Sequence, residues 1–221
     1  MAFLPRQEIK RLADDAKLFV CRDSKDGKNY DEANFKQASY DLRLGDEIYV
    51  VGRRAPEKLT DRSPYALLPP GQFAILTTYE EVCMPRSVLG FIAIRTKFKL
   101  QGLVNISGFH VDPSFHGKLV FAVQNVGPND IRVKLGEPTF TIFFAELKAG
   151  DIGETRDNTE VHFKQNMKGI RLEDVQLLGG GSITLAALQK EVQRLRTLVL
   201  VYGPFAVAAF VALLIKLFRN P

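Results

Sequence analysis

The sequence predicts a mainly β fold, a barrel or sandwich of short strands, with one helix before the strands and a long apolar helix after them. Between about residues 35 and 147, extended runs alternate with turn clusters rich in Pro, Gly, Asn and Asp. Many short strands at this spacing favour a barrel or sandwich over a parallel sheet. The predicted strands are DEIYVV (46–51), GQFAILTT (71–78), LGFIAIRT (89–96), GKLVFAVQ (117–124) and TFTIFFAE (139–146).

The helix before the strands is predicted near residues 6–18. Ile9, Leu12, Ala13 and Ala16 recur there at helical spacing, so they share one face. We expect this apolar face to pack against the β region.

The stretch GFHVDPSFHGKLVFAVQN (108–125) predicts a β-hairpin. Residues with high β propensity flank a turn built from Asp112, Pro113, Ser114 and Gly117. Asp112 stands at the mouth of this turn, whereas the following run carries no acid. The carboxylate of Asp112 has two interpretations: it binds a ligand, or it satisfies local backbone groups of an Asp-Pro turn.

The run TLVLVYGPFAVAAFVALLI (197–215) contains no charged residue. As a helix it would span a hydrocarbon core about 30 Å thick. Lys216 and Arg219 follow it and can lie among lipid headgroups. The alternative is a buried core helix of a soluble protein, but apolar residues on all sides favour a membrane anchor.

A flexible joint and a short coiled coil are predicted before the anchor. GGGS (179–182) is typical of a linker. Leu185, Leu188, Val192, Leu195 and Val199 then follow the three-four spacing of a coiled-coil seam, with a simple amphipathic stalk as the alternative. The predicted organisation is a domain at 1–178, the linker and coil at 179–197, a transmembrane helix at 198–216 and a tail at 217–221.

Composition narrows the class of partner. The formal net charge of +5 suits an anionic ligand or a membrane surface, but no dense Lys/Arg block predicts binding to long nucleic acid. Cys21 and Cys83 stand far apart, which argues against zinc and against a disulfide scaffold and fits a reducing compartment. The N-terminal residues lack an apolar signal-peptide core, so we expect the globular domain in the cytoplasm.

The sequence lacks a GxSxG nucleophile motif, a GxxxxGK[ST] phosphate loop and the zinc deaminase signature. The remaining candidates are a scattered set of polar residues, of which Arg95-Thr96-Lys97 stands at the end of a predicted strand. Arg95-Thr96-Lys97 offers two cations and a hydroxyl, which suit a polyphosphate, with ordinary surface charge as the alternative. The others are Ser39-Tyr40-Asp41, Asp112 and Gln124-Asn125.

Five segments follow one another along the chain: ASYDLRLG (38–45), LPPGQFAILTTYEEVCMP (68–85), IRTKFKLQGL (94–103), HVDPSFHG (110–117) and the Leu-Gly turn before TFTIFF. In this order they resemble the dCTP deaminase/dUTPase superfamily, and more closely its dCTP deaminase branch. PRQEIKRLAD (5–14) is similar to that branch's opening helix and HFKQNMKG (162–169) to its closing tail, so the resemblance covers about residues 4–170. It implies a distorted β-barrel or jelly roll, a homotrimer with nucleotide sites between subunits, and no zinc.

The deaminase pattern is incomplete in this sequence. Deaminases of the branch have Arg-Ser-Ser-x-x-Arg-x-Gly, and here the first Arg is Arg95, the first Ser is Thr96 and the second Arg is replaced by Leu100. The general-base Glu of the family falls on Ala122, five residues after Gly117. Because a methyl group cannot transfer a proton, the expected loss in rate is about 10²–10⁴-fold or more. The resemblance therefore predicts that deamination is lost.

The pyrophosphatase branch is matched in other positions. Its water-orienting Asp corresponds to Asp112, and an acid that helps hold magnesium corresponds to Asp41. The aromatic residue that stacks on the deoxyribose is Phe115 instead of Tyr, and a glutamine of that branch is replaced by Thr141.

Together these features predict a membrane-anchored homotrimer that binds a nucleotide, or a nucleotide-derived signal, without deaminating it, as a sensor or effector. One alternative is an active enzyme on deoxynucleoside triphosphates, either a dUTP pyrophosphatase or a dCTP deaminase with relocated groups. Another is a scaffold that has lost binding. Mg²⁺ is expected only with a nucleoside triphosphate, near Asp41. The predicted nucleotide-binding residues are Arg95, Thr96, Lys97, Asp112, Phe115 and Gln124.

Overall fold

The computed structural model describes residues 2–15, 18–20, 30–148, 169–171, 173, 175 and 185–219. Contacts divide the chain into two compact units, 1–182 and 183–221. The described part of the first is a curled sheet with short helices, and that of the second is one helix. The predicted mainly β fold, with one helix before the long strands and one after them in the sequence, is therefore confirmed. Cys21, residues 162–168 of the predicted closing tail, and the GGGS linker lie outside the described residues.

The elements follow the predicted order, with additional short strands between the long ones. The helices are α1 (Arg6–Asp14), α2 (Thr96–Lys99) and α3 (Leu185–Arg219), and a 3₁₀ turn covers Glu32–Asn34. The strands are β1 (Ala2–Phe3), β2 (Phe19–Val20), β3 (Tyr40–Val50), β4 (Glu57–Lys58), β5 (Tyr65–Leu68), β6 (Phe73–Cys83), β7 (Val88–Ile94), β8 (Leu103–Asn105), β9 (His110–Val111), β10 (His116–Asn125), β11 (Ile131–Lys134) and β12 (Pro138–Glu146).

The main sheet runs in the order β8-β10-β6-β3-β12-β7-β9, with β1 on β12, β2 on β6 and β4 on β3. Strand β3 is where the sheet curls, because its first residues pair with β12 and its later residues pair with β6. Gly45 lies at this change of partner, where a Cβ atom would stand 2.5 Å from the carbonyl oxygen of Thr78. Strands β5 and β11 form a separate two-stranded ribbon.

The core lies inside the curl and follows the two-residue period of the strands. On β10, Leu119, Phe121 and Val123 are buried, while the residues between them are partly exposed. The ring of Phe121 stacks on that of Phe140 from β12, with 3.8 Å between centroids. On α1, Ile9 and Ala13 are buried, in agreement with the predicted apolar face.

The predicted hairpin at 108–125 is wrong. Strand β9 pairs with β7, where Val111 lies opposite Gly90, whereas β10 pairs with β6 and β8. The turn between β9 and β10 instead carries the chain from one half of the sheet to the other. The alternating pattern identifies strand β10, but the partner of a strand is decided by packing between residues far apart in sequence.

Two predicted boundaries also change. Helix α1 ends at Asp14 instead of continuing to residue 18, and the amide of Asp15 makes the last backbone bond, to the carbonyl of Arg11. The predicted strand 89–96 ends at Ile94, because the chain turns into α2 at Thr96.

A second apolar cluster covers the outer face of β3 and β6. Val175 is buried there with Tyr49 and Ile75, and Val120 of β10 and Ile170 pack against the same cluster. The amide of Ile170 donates a 3.0 Å hydrogen bond to Glu47 Oε2. Ile170 and Val175 therefore belong to the globular unit and lie against its outer face.

Helix α3 continues without interruption through the predicted coiled coil and the predicted membrane segment. Within the described part of the chain, it is the one helix long and apolar enough to cross a membrane, over Glu191–Ala212 with mean hydropathy 1.8. This segment overlaps the predicted span at 198–216. Leu188, Val192, Leu195 and Val199 are exposed in the single chain, so the coiled coil stays a prediction.

Candidate functional site

A cavity of about 350 Å³ opens where β3, β7 and β12 meet, and we call it the cation cavity. The sheet register places Thr141 between Asp41 on β3 and Ala93 on β7. Arg95 enters from the end of β7, where its amide donates a 3.0 Å bond to the carbonyl of Thr139. The charged and hydroxyl side chains that line the cavity are Lys36, Ser39, Asp41, Arg95, Thr96, Lys97, Lys99 and Thr141.

Asp41 is buried at the base of the cation cavity and its carboxylate is fully engaged. The hydroxyl of Thr141 donates a 2.7 Å hydrogen bond to Oδ1. Arg95 Nε lies 3.2 Å from Oδ2, and Lys36 Nζ lies 3.7 Å from the same oxygen. Asp41 thus holds two cations at the cavity wall.

The cations of the cavity still have donors to offer a ligand. The guanidinium of Arg95 has five N–H donors, and among the described residues it contacts Asp41 and, at 3.4 Å, the carbonyl of Pro138. Lys97 forms an exposed ion pair with Glu137. Such a surface pair contributes little to stability, so Lys97 can turn to an anion at small cost.

The donor set of the cation cavity does not fit a magnesium ion held by side chains alone. A hard divalent cation prefers several oxygen ligands, usually with more than one carboxylate. In the described part of the chain, Asp41 is the one acid that lines this cavity, and its oxygens face two cations. No cluster of three potential metal-ligating side chains occurs among the described residues.

A second cavity of about 260 Å³ lies beside the turn between β9 and β10, and we call it the Asp112 cavity. Its floor is apolar and includes Phe115, Leu119 and Phe121, while Asp112 and His110 stand at its rim. His110 Nε2 lies 3.4 Å from Asp112 Oδ1. An apolar floor with a few polar groups at the rim suits the sugar and base of a nucleotide better than its phosphates.

The turn that forms this cavity has an unusual backbone. Ser114 has a φ of 65°, a left-handed conformation that is uncommon for a residue other than glycine and is enriched at functional sites. The amide of Phe115 closes the turn with a 3.2 Å bond to the carbonyl of Asp112. Phe115 lines the cavity after this turn, and the carboxylate of Asp112 at its start is exposed.

The structure divides the predicted binding residues between two places. Arg95, Thr96 and Lys97 line the cation cavity, whereas Asp112 and Phe115 line the Asp112 cavity. The two cavities share no lining residue. Gln124 lines neither of them, and its side-chain amide donates a 3.3 Å bond to the carbonyl of Gly71.

The two positions that depart from the deaminase pattern are both accessible. Ala122 lies on the outward side of β10, and its carbonyl accepts a 2.8 Å bond from the amide of Ile106 next to the Asp112 cavity. Leu100 ends the α2 turn beside the cation cavity, and 85% of its surface is exposed. An apolar side chain therefore stands where an arginine would add a further cation.

The sequence did not predict a buried network of polar side chains around Glu80. Glu80 is fully buried, and its carboxylate contacts Arg43 Nε at 2.7 Å, the Arg43 amide at 2.9 Å and the Tyr40 hydroxyl at 3.0 Å. Burial raises the pKa of Glu80, and the contacts with Arg43 oppose that shift. No local pattern predicts this network, because Glu80 stands in TTYEEVC beside a second glutamate that is partly exposed.

Residues 3–147 match the family model for dCTP deaminase-like proteins. The chain belongs to the dCTP deaminase-like family. It is 31% identical over 119 residues to a dCTP deaminase of Thermococcus kodakarensis. The alignment covers 54% of this chain and 74% of the relative. It is 26% identical over 188 residues to a dCTP deaminase of Helicobacter hepaticus. That alignment covers 76% of this chain and 95% of the relative.

The fold of this dCTP deaminase-like protein is also similar to a solved structure. A dCTP deaminase from Agrobacterium tumefaciens superposes with a TM-score of 0.54 at 17% identity, over 67% of this chain and half of the other chain. This similarity supports the fold. Helix α3 lies outside the residues matched by the family model, so it is an addition to the family domain.

Proposed function

We propose that this dCTP deaminase-like protein is a homotrimer that binds a nucleotide, or a nucleotide-derived signal, and does not deaminate it. The observation that carries the proposal is Ala122 at the position of the general base, combined with Arg95 and Thr96 at the cation cavity. The cations remain available to phosphates through charge-assisted hydrogen bonds. The acid that would activate water on the pyrimidine is missing.

Each cavity suits one part of a nucleotide. The cation cavity offers Arg95, Lys97 and Lys99 to a polyphosphate. The Asp112 cavity offers a carboxylate to a sugar hydroxyl and the Phe115 ring to an apolar face. A homotrimer whose sites lie between subunits would combine the two, as the family resemblance implies.

The proposal includes a role as a membrane-anchored sensor or effector. Helix α3 is long and apolar enough to cross a bilayer, and its exposed Leu188, Val192 and Leu195 suit a short coiled coil in an assembly. Val120 both lines the Asp112 cavity and packs on the cluster that holds Val175. Occupancy of the cavity can therefore change the packing of the segment that leads to the linker.

The function is tested on the full-length protein in detergent micelles with dCTP, dUTP, ATP, GTP and cyclic nucleotides, with and without Mg²⁺. We expect at least one nucleotide to raise the melting temperature, since a ligand at 100 times its Kd adds about 2.7 kcal/mol. We expect slower hydrogen exchange at the amide of Ile170 on binding, and no ammonia from dCTP.

The control is an active dCTP deaminase assayed in parallel. Ammonia release from dCTP by this protein would overturn the proposal. A melting temperature that does not change with any of these nucleotides would favour a scaffold that has lost nucleotide binding.

A dUTP pyrophosphatase is the second candidate. The observation in its favour is the exposed Asp112 carboxylate with His110 at 3.4 Å, which could orient a water molecule at the rim of the Asp112 cavity. Release of pyrophosphate from dUTP in the same assay would support this candidate, and Asp112→Asn should then abolish the release.

The proposed topology places the globular unit in the cytoplasm and helix α3 across the membrane. Protease added to intact cells or spheroplasts should leave the globular unit undigested, because the bilayer would shield it. After detergent lysis the same protease should cleave it. Digestion in intact cells would reverse the topology, and recovery of the protein in the soluble fraction would contradict the anchor.

A further inference from the structure

The outward face of the β5–β11 ribbon combines two cations with two large apolar side chains. Tyr65 and Leu67 are the exposed residues of β5, and each is 43% exposed. Arg132 and Lys134 are the exposed residues of β11. The register sets Arg132 opposite Leu67 and Lys134 opposite Tyr65. We call these four residues the ribbon face.

The other side of the ribbon is packed into the globular unit. Asn125 is fully buried, and its Nδ2 donates a 2.7 Å bond to the carbonyl of Leu68 and a 2.8 Å bond to the carbonyl of Asn129. Because side chains alternate along a strand, the residues between those of the ribbon face point into the core. These buried residues are Ala66, Leu68, Ile131 and Val133.

The positive charge of the ribbon face is not neutralised by an ion pair within the described part of the chain. The guanidinium of Arg132 lies 3.8 Å from the centroid of the Tyr65 ring, and Lys134 Nζ lies 5.7 Å from it. A ring that faces a cation does not cancel its charge. Asp130, just before β11, is the exposed acid nearest along the chain. The ribbon face therefore keeps a net positive charge.

This combination of side chains suits the surface of an anionic bilayer. Lys and Arg reach lipid phosphates, Tyr prefers the headgroup region, and Leu offers apolar area to the acyl chains. Each cation strengthens binding to an anionic surface about fivefold, so two cations bind only weakly by themselves. A free domain with this face would remain mostly in solution.

The anchor proposed for helix α3 makes such a weak contact sufficient. Val175 packs on the globular unit, and ten peptide steps separate it from Leu185, the first residue of α3. A chain of this length spans at most about 35 Å. A short tether of this kind gives an effective concentration on the order of millimolar. The anchored protein therefore meets the bilayer surface far more often than a free domain would.

We propose that the ribbon face binds anionic lipid headgroups of the membrane in which helix α3 is anchored. The proposal rests on the anchor and topology of the proposed function, and it names the surface of the globular unit that lies on the bilayer. Charge complementarity favours lipid as the occupant, since the cytoplasmic leaflet carries anionic lipids that attract basic surfaces. Neither the cation cavity nor the Asp112 cavity is lined by a residue of the ribbon face, so nucleotide binding does not compete with this contact.

The first test uses the fact that the sequence contains no tryptophan. Tyr65→Trp places a single indole on the ribbon face and keeps an aromatic ring beside Arg132. The full-length variant is reconstituted in vesicles of phosphatidylcholine and phosphatidylglycerol whose acyl chains carry bromine, which quenches an indole at short range. We expect strong quenching in these anionic vesicles. Quenching should be much weaker in brominated phosphatidylcholine alone and at high salt, which screens the lipid charge.

Phe109→Trp is the matched control for the position of the indole. Phe109 is 64% exposed and lies outside the ribbon, one residue before β9. Its indole should be quenched weakly and to the same extent in both kinds of vesicle. Strong quenching of Phe109→Trp with none of Tyr65→Trp would place another face of the globular unit on the bilayer and would overturn the proposal.

The second test removes the two cations in the Tyr65→Trp protein. Arg132→Gln combined with Lys134→Gln should lower the ratio of docked to free protein about thirtyfold, at about fivefold for each cation. Circular dichroism checks that the fold is kept. Arg6→Gln combined with Lys10→Gln removes two exposed cations of α1 and should leave the quenching unchanged. Equal losses in the two double variants would show attraction by net charge alone and would contradict a defined ribbon face.

Flotation of the same vesicles separates the inference from the proposed anchor. If the protein floats with both kinds of vesicle while Tyr65→Trp stays unquenched, the anchor stands and the inference is wrong, which leaves the ribbon face to another partner such as an acidic protein. If the protein floats only with anionic vesicles and the Arg132→Gln, Lys134→Gln variant does not, the ribbon face stands and the anchor is wrong. Protein that floats with neither kind of vesicle overturns both.

Discussion

Arg43→Ala is expected to lower the free energy of unfolding of the globular unit by about 3–5 kcal/mol. Arg43 is the cation that faces the fully buried carboxylate of Glu80, at 2.7 Å from Nε to Oε1. Removal of Arg43 leaves that fully buried carboxylate without its counter-charge. The measurement is urea unfolding of the full-length protein in detergent micelles, followed by circular dichroism.

Arg53→Ala is the matched control. Arg53 forms an ion pair with Glu57, but both side chains are exposed, at 40% and 46%. An exposed pair of this kind contributes about 0–1 kcal/mol, so the control should unfold at nearly the parent urea concentration. Equal effects of the two substitutions would contradict a special role for the buried pair.

The pH dependence of the Arg43→Ala variant follows from the pKa of Glu80. Burial raises the pKa of Glu80 in the folded protein. In the variant, the Arg43 side chain no longer opposes this shift. A carboxyl group with a raised folded pKa stabilises the fold when protonated, and this stability is lost as pH rises through the folded pKa. The loss in free energy of unfolding caused by Arg43→Ala should therefore be smaller at acidic pH. Glu80→Gln, added to Arg43→Ala, should restore part of this free energy at neutral pH.

Arg95→Ala is expected to weaken binding of dCTP and of inorganic tripolyphosphate about ten- to a hundredfold. A charge-assisted contact to phosphate at a partly buried site contributes about 1.5–3 kcal/mol. Arg95 is held at the cation cavity by Asp41, so its position is fixed before the ligand arrives. Isothermal titration calorimetry on the full-length protein measures the loss.

Three further variants sharpen the Arg95 experiment. Arg95→Lys should bind with intermediate affinity, because it keeps the charge and loses the planar fork. Asp112→Ala should lose less affinity for dCTP than Arg95→Ala, since its contact is to a neutral sugar hydroxyl. Arg132→Ala is the control, because its guanidinium lies 3.8 Å over the ring of Tyr65 on the β5–β11 ribbon. Parent-like binding by Arg95→Ala would show that the phosphate site lies elsewhere.

Much of the fold could be predicted from the sequence because its determinants are local. The long strands β6, β7, β10 and β12 contain most of the predicted runs, since alternating burial leaves a two-residue period in the chain. Strands such as β1, β2 and β9 have only two residues each, too few for a period to appear. Helix α3 could be predicted from composition alone.

The candidate site was predicted in part. Arg95, Thr96 and Lys97 are consecutive, so the sequence already groups them. Lys36 and Thr141 were not predicted as binding residues, because the strand register brings them to Asp41 from distant positions. Glu80 was missed for a related reason: its burial depends on the curl of β3 around it, which no local pattern contains.

The sequence by itself determined the strand content and the apolar helix α3, because each is a property of residues close together in the chain. Only the tertiary structure decided which strands pair, and it sent β9 and β10 to different neighbours instead of forming a hairpin. It also separated Asp112 from Arg95 into two cavities. The physical reason is that strand pairing and burial are free-energy differences summed over contacts between distant residues, which a short stretch of sequence does not specify.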